Sequence, residues 1–265
     1  MQIVTPALVL REVKVGEADR ILLLLTPEQG LISASAKGSL RLKSRLFSGL
    51  FCYSEFTLYE GRTMYRVDEA QVKNTFFGLR ESVEGMALAM YLAELTAALA
   101  PTGKEAQVLL RLLLNSLYLL SENKRPLGQI KAVFELRAIS EAGYLPQLLC
   151  CRECGKYEGG PFYLDPEEGS LLCGDCAAKA GRTPNLDPAS LTALRHIALV
   201  EDKRVFNFSL AGTSMRKLGR VTERYALCQL DKPLKSLDFL RSVWPQEAAK
   251  ASPVPGAEAE KTTQV

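Results

Sequence analysis

The chain has 265 residues and a formal net charge of +3, with 47% hydrophobic and 24% charged residues. This length can bury a hydrophobic core without disulfides, and the composition is typical of a soluble globular protein. The small net charge alone does not identify a nucleic-acid-binding protein. The first residues lack the basic leader of a secretion signal, and no apolar stretch is long enough to span a bilayer. We therefore expect a cytoplasmic protein with reduced thiols and no membrane partner.

Residues 2 to about 78 show short segments of period-two hydrophobicity, which predict about five β-strands. Turn signals separate them at residues 26–30, 37–39 and 60–62. Five short antiparallel strands are most economically closed as a small barrel, because closure removes unpaired edges. An OB-type barrel and an SH3-like barrel both fit this pattern.

Beyond residue 80 the hydrophobic period becomes helical, so we predict an α+β protein of more than one domain. The helical segments are 81–98, 105–120, 129–141, 188–200, 213–230 and 235–243. We predict a barrel domain over 1–79 and a helical domain over 80–244, with a metal-binding ribbon inserted at 148–180. The last residues, 245–265, have little to bury and are predicted to be disordered.

Two Cys-x-x-Cys pairs lie 18 residues apart, which is the spacing of a four-cysteine zinc ribbon. Their members are Cys151, Cys154, Cys173 and Cys176. Four thiolates fill the tetrahedral shell of Zn²⁺, so we expect one structural zinc ion with no open catalytic position. The alternative is a pair of redox dithiols, although such motifs usually stand alone in a thioredoxin-like βαβ unit. Among the other cysteines, Cys150 has the wrong spacing, and Cys52 and Cys228 are expected to be small buried residues.

A basic segment follows the third predicted strand. No acidic residue lies between Glu28 and Glu55, while Lys37, Arg41, Lys43 and Arg45 fall within nine residues. Such a segment can neutralise phosphates, and Arg11, Lys14 and Arg20 on the early strands would extend it. A solvated loop of an ordinary protein is the alternative. Tyr53, Tyr59 and Tyr65 are either base-stacking platforms or core residues.

A second basic cluster lies in the late helix. Arg216, Arg220 and Arg224 share one helical face, and Lys217 adjoins them. This face suits a carboxylate-bearing peptide or further nucleic acid, or is simply solvated.

The order of these parts resembles the bacterial RecO family of recombination mediators over residues 2–243. The resemblance is carried by residues 17–21, 25–26 and 30, by the segment 36–44, and by residues 143–148 leading into the first cysteine pair. It implies an OB-fold that binds single- and double-stranded DNA, and a helical domain with an inserted zinc ribbon.

The resemblance also implies a function. RecO proteins anneal complementary strands and, with RecR, help RecA displace single-strand-binding protein (SSB) from DNA, so we expect a nucleoid-associated protein that is not an enzyme. The family's basic loop falls on Lys37, Arg41, Lys43 and Arg45, and its zinc ligands fall on the four paired cysteines. The SSB C-terminal tail would dock near Arg216, Lys217 and Arg220. A zinc-ribbon adaptor of transcription or translation, or a nuclease, remains the alternative.

Overall fold

The computed structural model describes residues 1–39, 49–230 and 232–244. The predicted disordered tail, 245–265, lies outside these residues. Within the described ranges, no helix combines the length and apolarity needed to cross a membrane.

The N-terminal strands form a closed five-stranded barrel, as the sequence predicts. The strands are β1 (Gln2–Val15), β2 (Asp19–Thr26), β3 (Gly30–Ala36), β4 (Tyr53–Tyr59) and β5 (Tyr65–Asn74). Their order around the barrel is β1-β2-β3-β5-β4, and every pairing is antiparallel except that of β3 with β5. This order is that of the OB-fold, and the short β3–β5 contact of two residue pairs makes the barrel nearly open there.

Strand β1 is buried on both faces over residues 7–10, where successive side chains point to opposite faces and each face meets a core. Ala7 and Val9 pack into the barrel interior, whereas Leu8 and Leu10 pack against the helices. The register shifts between Val9 and Arg11, and all residues from Arg11 to the end of β1 are exposed. The irregularity therefore marks the point at which β1 leaves the core and becomes part of an exposed hairpin.

Most of the remaining chain is helical. The helices before the ribbon are α1 (Val83–Leu99), α2 (Gln107–Ser121) and α3 (Leu127–Glu141). The short helix α4 (Gly174–Lys179) belongs to the ribbon, and α5 (Pro188–Leu199), α6 (Gly212–Leu230) and α7 (Lys235–Val243) follow it. Helix α3 is buried from Gly128 to Leu136 and contacts α1, α2, α5 and α6, so it is the central element of the domain.

A buried charge network links four of these helices. Lys131 of α3 is 2.9 Å from Glu135 and 2.8 Å from Glu223 of α6. Glu135 also accepts a hydrogen bond from Tyr91 of α1, and Glu223 pairs with Arg241 of α7. Burial raises the pKa of Glu135 to about 7, against the opposing effect of Lys131. The network replaces apolar packing at the centre of the helical domain with matched charges.

The ribbon is inserted between α3 and α5. It comprises β6 (Gln147–Cys151), β7 (Phe162–Asp165) and β8 (Ser170–Cys173), followed by α4. Strands β7 and β8 form an antiparallel hairpin, while β6 adds to β8 in parallel to give the order β6-β8-β7.

Candidate metal centre and nucleic-acid interface

The four paired cysteines lie at two matching turns of the ribbon. Cys151 ends β6, and Gly155, with φ +71°, closes the turn by donating its amide to the Cys151 carbonyl. Cys173 ends β8 and caps α4, which carries Cys176 in its first turn. Each turn brings its two sulfurs to the same side, as a zinc knuckle requires.

The sulfurs have the spacing of a metal site. All four Sγ atoms lie within 4.8 Å of one another, and those of Cys154 and Cys173 are 3.6 Å apart. A tetrahedral ion with Zn–S bonds of about 2.3 Å separates its ligands by about 3.8 Å. Disulfide sulfurs would be about 2.05 Å apart, and the described cysteines are all free thiols. The group can therefore hold a metal ion.

Electrostatics favour a cation at the centre of this group. Burial raises the pKa of Cys151, but the amides of Cys173, Cys154 and Glu153 hydrogen-bond to its sulfur and bring it down to about 6. Thiol contacts with Cys173 and Cys154 raise the pKa of Cys176 to about 12. Cys176 would not ionise at neutral pH without a compensating positive charge, which a divalent metal would supply.

The remaining cysteines do not join the cluster. Cys52 is 3% exposed, as expected. The prediction for Cys228 is wrong: its thiol is exposed, because it lies on the solvent side of α6.

Arg195 of α5 fixes the ribbon to the helical domain, and sequence analysis did not identify it. Its guanidinium donates to the carbonyls of Leu148, Leu149 and Tyr157 at 2.8–2.9 Å, and it lies 4.2 Å from the centre of the Tyr157 ring. An arginine in an amphipathic helix gives no signal of such distant partners. Arg195 covers the carbonyls of the outer strand β6, so the first knuckle has a rigid support.

Three of the predicted DNA-contacting cations are exposed on the barrel. Arg11 and Lys14 lie on the exposed end of β1, and Lys37 directly follows β3. Within the described ranges, none of the three has a carboxylate partner. Arg41, Lys43 and Arg45 lie outside the described residues.

Arg20 occupies a different environment. Its side chain is 9% exposed, its Nη1 is 2.7 Å from Glu12, and its Nε donates to the Ser39 hydroxyl at 3.1 Å. Nearby, the Gly38 amide donates to the Asp19 carboxylate at 2.7 Å. This geometry favours Arg20 as a brace between β1, β2 and the end of β3 over a direct phosphate contact.

The three barrel tyrosines are half-buried. Tyr53 packs against the core shared with the helices, and Tyr65 packs against the barrel core and donates to Gln29. The ring of Tyr59 lies under Arg66 at 5.4 Å. All three tyrosines are thus in contact with barrel or core side chains.

The basic face of α6 is largely exposed to solvent. Arg216, Arg220 and Arg224 are exposed, whereas Lys217 is 3.0 Å from Asp187, the N-cap of α5. Burial raises the pKa of Asp187, but hydrogen bonds from Ser190, Lys217 and Ser214 lower it to about 2. Lys217 therefore connects α5 to α6.

A cavity of about 530 Å³ lies at the N-terminal end of α6, between it and the N-terminal end of α3. Lys124 and Arg125 line it on one side, and Phe208, Leu210 and Met215 provide apolar surface. Met215 immediately precedes Arg216, so the cavity adjoins the basic face.

Comparison with known proteins identifies the family. The models for the recombination protein O N terminus and C terminus match residues 1–76 and 80–238. The chain is 34% identical to the DNA repair protein RecO of Acetivibrio thermocellus over 241 residues, covering 90% of this chain and 96% of that protein. It is 30% identical to the protein of the same name from Alkaliphilus metalliredigens, covering 92% and 100%. The chain therefore belongs to the RecO family of DNA repair proteins.

Proposed function

We propose that this protein is a recombination mediator that binds single- and double-stranded DNA through its barrel and anneals complementary strands. Together with RecR, it promotes the loading of RecA on SSB-coated single strands. The observation that carries this proposal is the set of unpaired cations on the barrel: Arg11, Lys14 and Lys37 are exposed and have no carboxylate partner within the described ranges. Sugar-phosphate is the ligand that neutralises such a surface without requiring a specific sequence.

The remaining proposed contacts come from Arg41, Lys43 and Arg45. With Lys37 they give a local charge of +4 with no acidic residue between Glu28 and Glu55. Arg20 holds the beginning of this segment through Ser39. Its proposed contribution to DNA binding is therefore indirect.

We propose that the four-cysteine group holds one structural Zn²⁺. Cys151, Cys154, Cys173 and Cys176 supply four soft ligands, which zinc prefers, and leave no position for water. The ion would hold the two knuckles together. The role of the ion would be to keep the ribbon in its folded shape. No bond would be made or broken on the metal, consistent with a mediator that is not an enzyme.

We propose that the C-terminal tail of SSB docks at the basic face of α6. Arg216 and Arg220 would meet its acidic residues, and the cavity between α3 and α6 would take an apolar side chain. Lys217 would contribute less, because Asp187 already engages its amine.

The direct experiment is annealing of complementary strands coated with SSB, in the presence and absence of the purified chain. We expect faster annealing, as well as RecA assembly when RecR is added. A zinc-ribbon adaptor of transcription or translation would instead bind RNA or a polymerase and leave the annealing rate unchanged. We place the protein in the cytoplasm, at the nucleoid.

A further inference from the structure

A second cavity, of about 480 Å³, lies where the barrel meets the helical domain. On the barrel side it is lined by apolar side chains of Leu10, Leu23 and Phe51. On the helical side it is lined by Met90 of α1 and Phe239 of α7. Met90 is 39% exposed and Phe239 is 45% exposed, so the cavity presents both a thioether and an aromatic ring to solvent.

The charged residues at the rim of this cavity differ in whether they already have a partner. Glu12 is 2.7 Å from Arg20, and Glu94 accepts hydrogen bonds from the Ser236 amide and hydroxyl at the start of α7. Arg11 and Lys235 also line the cavity, and neither side chain has a carboxylate partner within the described ranges. The available charge around an apolar interior is therefore positive.

We propose that this cavity, designated the junction cavity, receives an unstacked nucleobase of single-stranded DNA while Arg11 and Lys235 contact the flanking phosphates. This inference rests on the proposed function, because Arg11 belongs to the proposed DNA-binding surface. An exposed ring beside cations is the arrangement that binds single strands without sequence preference.

The junction cavity also distinguishes single from double strands. In a duplex, each base is paired and stacked, so inserting one into a cavity requires breaking its base pair and its stacking. A base in a single strand avoids most of this cost. Holding such bases apart from their neighbours would leave them ready to pair with a complementary strand.

The test uses the full-length protein with a fluorescent oligothymidylate and an abasic oligonucleotide of the same length and charge. Phe239→Ala removes the exposed ring and leaves α7 anchored by Leu237 and Leu240, which are buried. We expect the affinity for oligothymidylate to fall about fivefold or more, while the affinity for the abasic strand is unchanged. Ala97→Phe, which fills the junction cavity from α1, should reproduce this selective loss. Phe77→Ala is the matched control, because Phe77 is 72% exposed and does not line the cavity.

Three results would overturn the inference. Unchanged affinity of both cavity variants for oligothymidylate would show that no base enters. Equal losses of affinity for both oligonucleotides would show that the substitutions affect contacts with the DNA backbone or the folding of the protein. Selective loss of binding to the SSB tail peptide would make the junction cavity a peptide site. If the unmodified protein binds neither oligonucleotide, the proposed function itself fails, which distinguishes the two claims.

Discussion

At the scale of single residues, Lys131 is the most unusual side chain of the helical domain. It is 1% exposed, and its amine lies within 3 Å of the carboxylates of Glu135 and Glu223. A buried ammonium is tolerated only when its charge is matched and hydrogen-bonded. The stability of the domain therefore depends on keeping this network complete.

Replacing Lys131 with Met should lower the free energy of unfolding by about 3–5 kcal/mol, because it leaves the buried Glu135 carboxylate without its cation and leaves Glu223 with Arg241 alone. Chemical denaturation at neutral pH measures this change. The matched control is Lys73→Met, because Lys73 pairs with Glu55 at 2.8 Å on the surface, where solvent screens the pair and its loss should have little effect on stability. Equal effects of the two substitutions would contradict a stabilising role for the network.

The residue types at the metal group could be predicted from the sequence, since Cys-x-x-Cys spacing reflects local geometry. The environment of each arginine could not. Arg20 and Arg11 look alike in sequence, but Arg20 meets Ser39, 19 residues away, and is buried. Arg195 finds carbonyls nearly 50 residues away. Such partners depend on the tertiary fold and leave no periodic signal.

At the scale of elements, the ribbon is a small sheet in which β6 and β8 each end in a turn that carries one cysteine pair. Its three strands have four or five residues each, which is too little apolar surface for independent stability. Packing against α5 supplies part of the rest, and the proposed metal ion would supply more.

We predict that the protein binds one zinc ion per chain and that Cys173→Ser or chelation unfolds the ribbon while the barrel still binds DNA, though more weakly. Metal analysis and limited proteolysis of residues 148–180 measure the two effects. Cys228→Ser is the control, because that thiol is exposed and outside the cluster. Metal analysis that finds no zinc in the unmodified protein would contradict the prediction.

The N-terminus of α5 is a second element whose stability can be tested. Asp187 accepts the Ser190 amide at 2.8 Å, and the Ser214 hydroxyl and Lys217 amine at 3.0 Å. Its pKa is lowered to about 2, so its stabilising effect is complete above the unfolded value of 3.8 and is lost as the pH falls through 2.

Asp187→Ala should therefore cost about 1–2 kcal/mol of unfolding free energy at pH 7. The difference from the unmodified protein should shrink steadily between pH 4 and pH 2. Denaturation curves at several pH values measure it, with Asp68→Ala on the exposed side of β5 as the control. A difference that stays constant down to pH 2 would rule out the carboxylate as its source.

The type of each long element, helix or strand, could be predicted because the hydrophobic residues in it recur with a clear period. The predicted segment 213–230 is found as α6 over Gly212–Leu230, and 235–243 is found as α7. The pattern missed β6 and α4, which are short and depend on the pairing with β8 and on the second cysteine pair. Residues 205–210 form neither helix nor strand, and the Gln129 side chain of α3 donates to the carbonyls of Phe206 and Phe208.

At the scale of the whole molecule, one hydrophobic core crosses from the barrel to the helices. Leu8, Leu10, Leu25 and Phe51 of the barrel region belong to the same buried cluster as the helical domain. Apolar contact of this kind fixes the orientation of the barrel's exposed cations relative to α7. The proposed division into residues 1–79 and 80–244 thus separates two folds that share a core, and it remains a prediction.

The sequence indicated the barrel and the helices but not this contact. Period-two hydrophobicity predicts a strand with one buried face, whereas β1 is buried on both faces over residues 7–10. The second buried face of β1 exists because the helices pack against it. The junction cavity lies at this same contact between barrel and helices.

The central claim is that positive side chains of the barrel contact the sugar-phosphate backbone directly. The most direct measurement is the salt dependence of single-strand binding for the unmodified protein and for a variant with Lys37, Arg41, Lys43 and Arg45 all changed to Glu. Four phosphate contacts contribute a slope of about −2.8 in a plot of log affinity against log salt concentration. We expect the variant to lose that contribution and most of its affinity.

A control with the same charge change at Lys104, Lys179, Lys203 and Lys232, which are exposed outside the barrel, should keep both the slope and the affinity. If the barrel variant binds single strands as tightly as the unmodified protein, and with the same salt dependence, the barrel does not contact DNA through these residues and the account is contradicted.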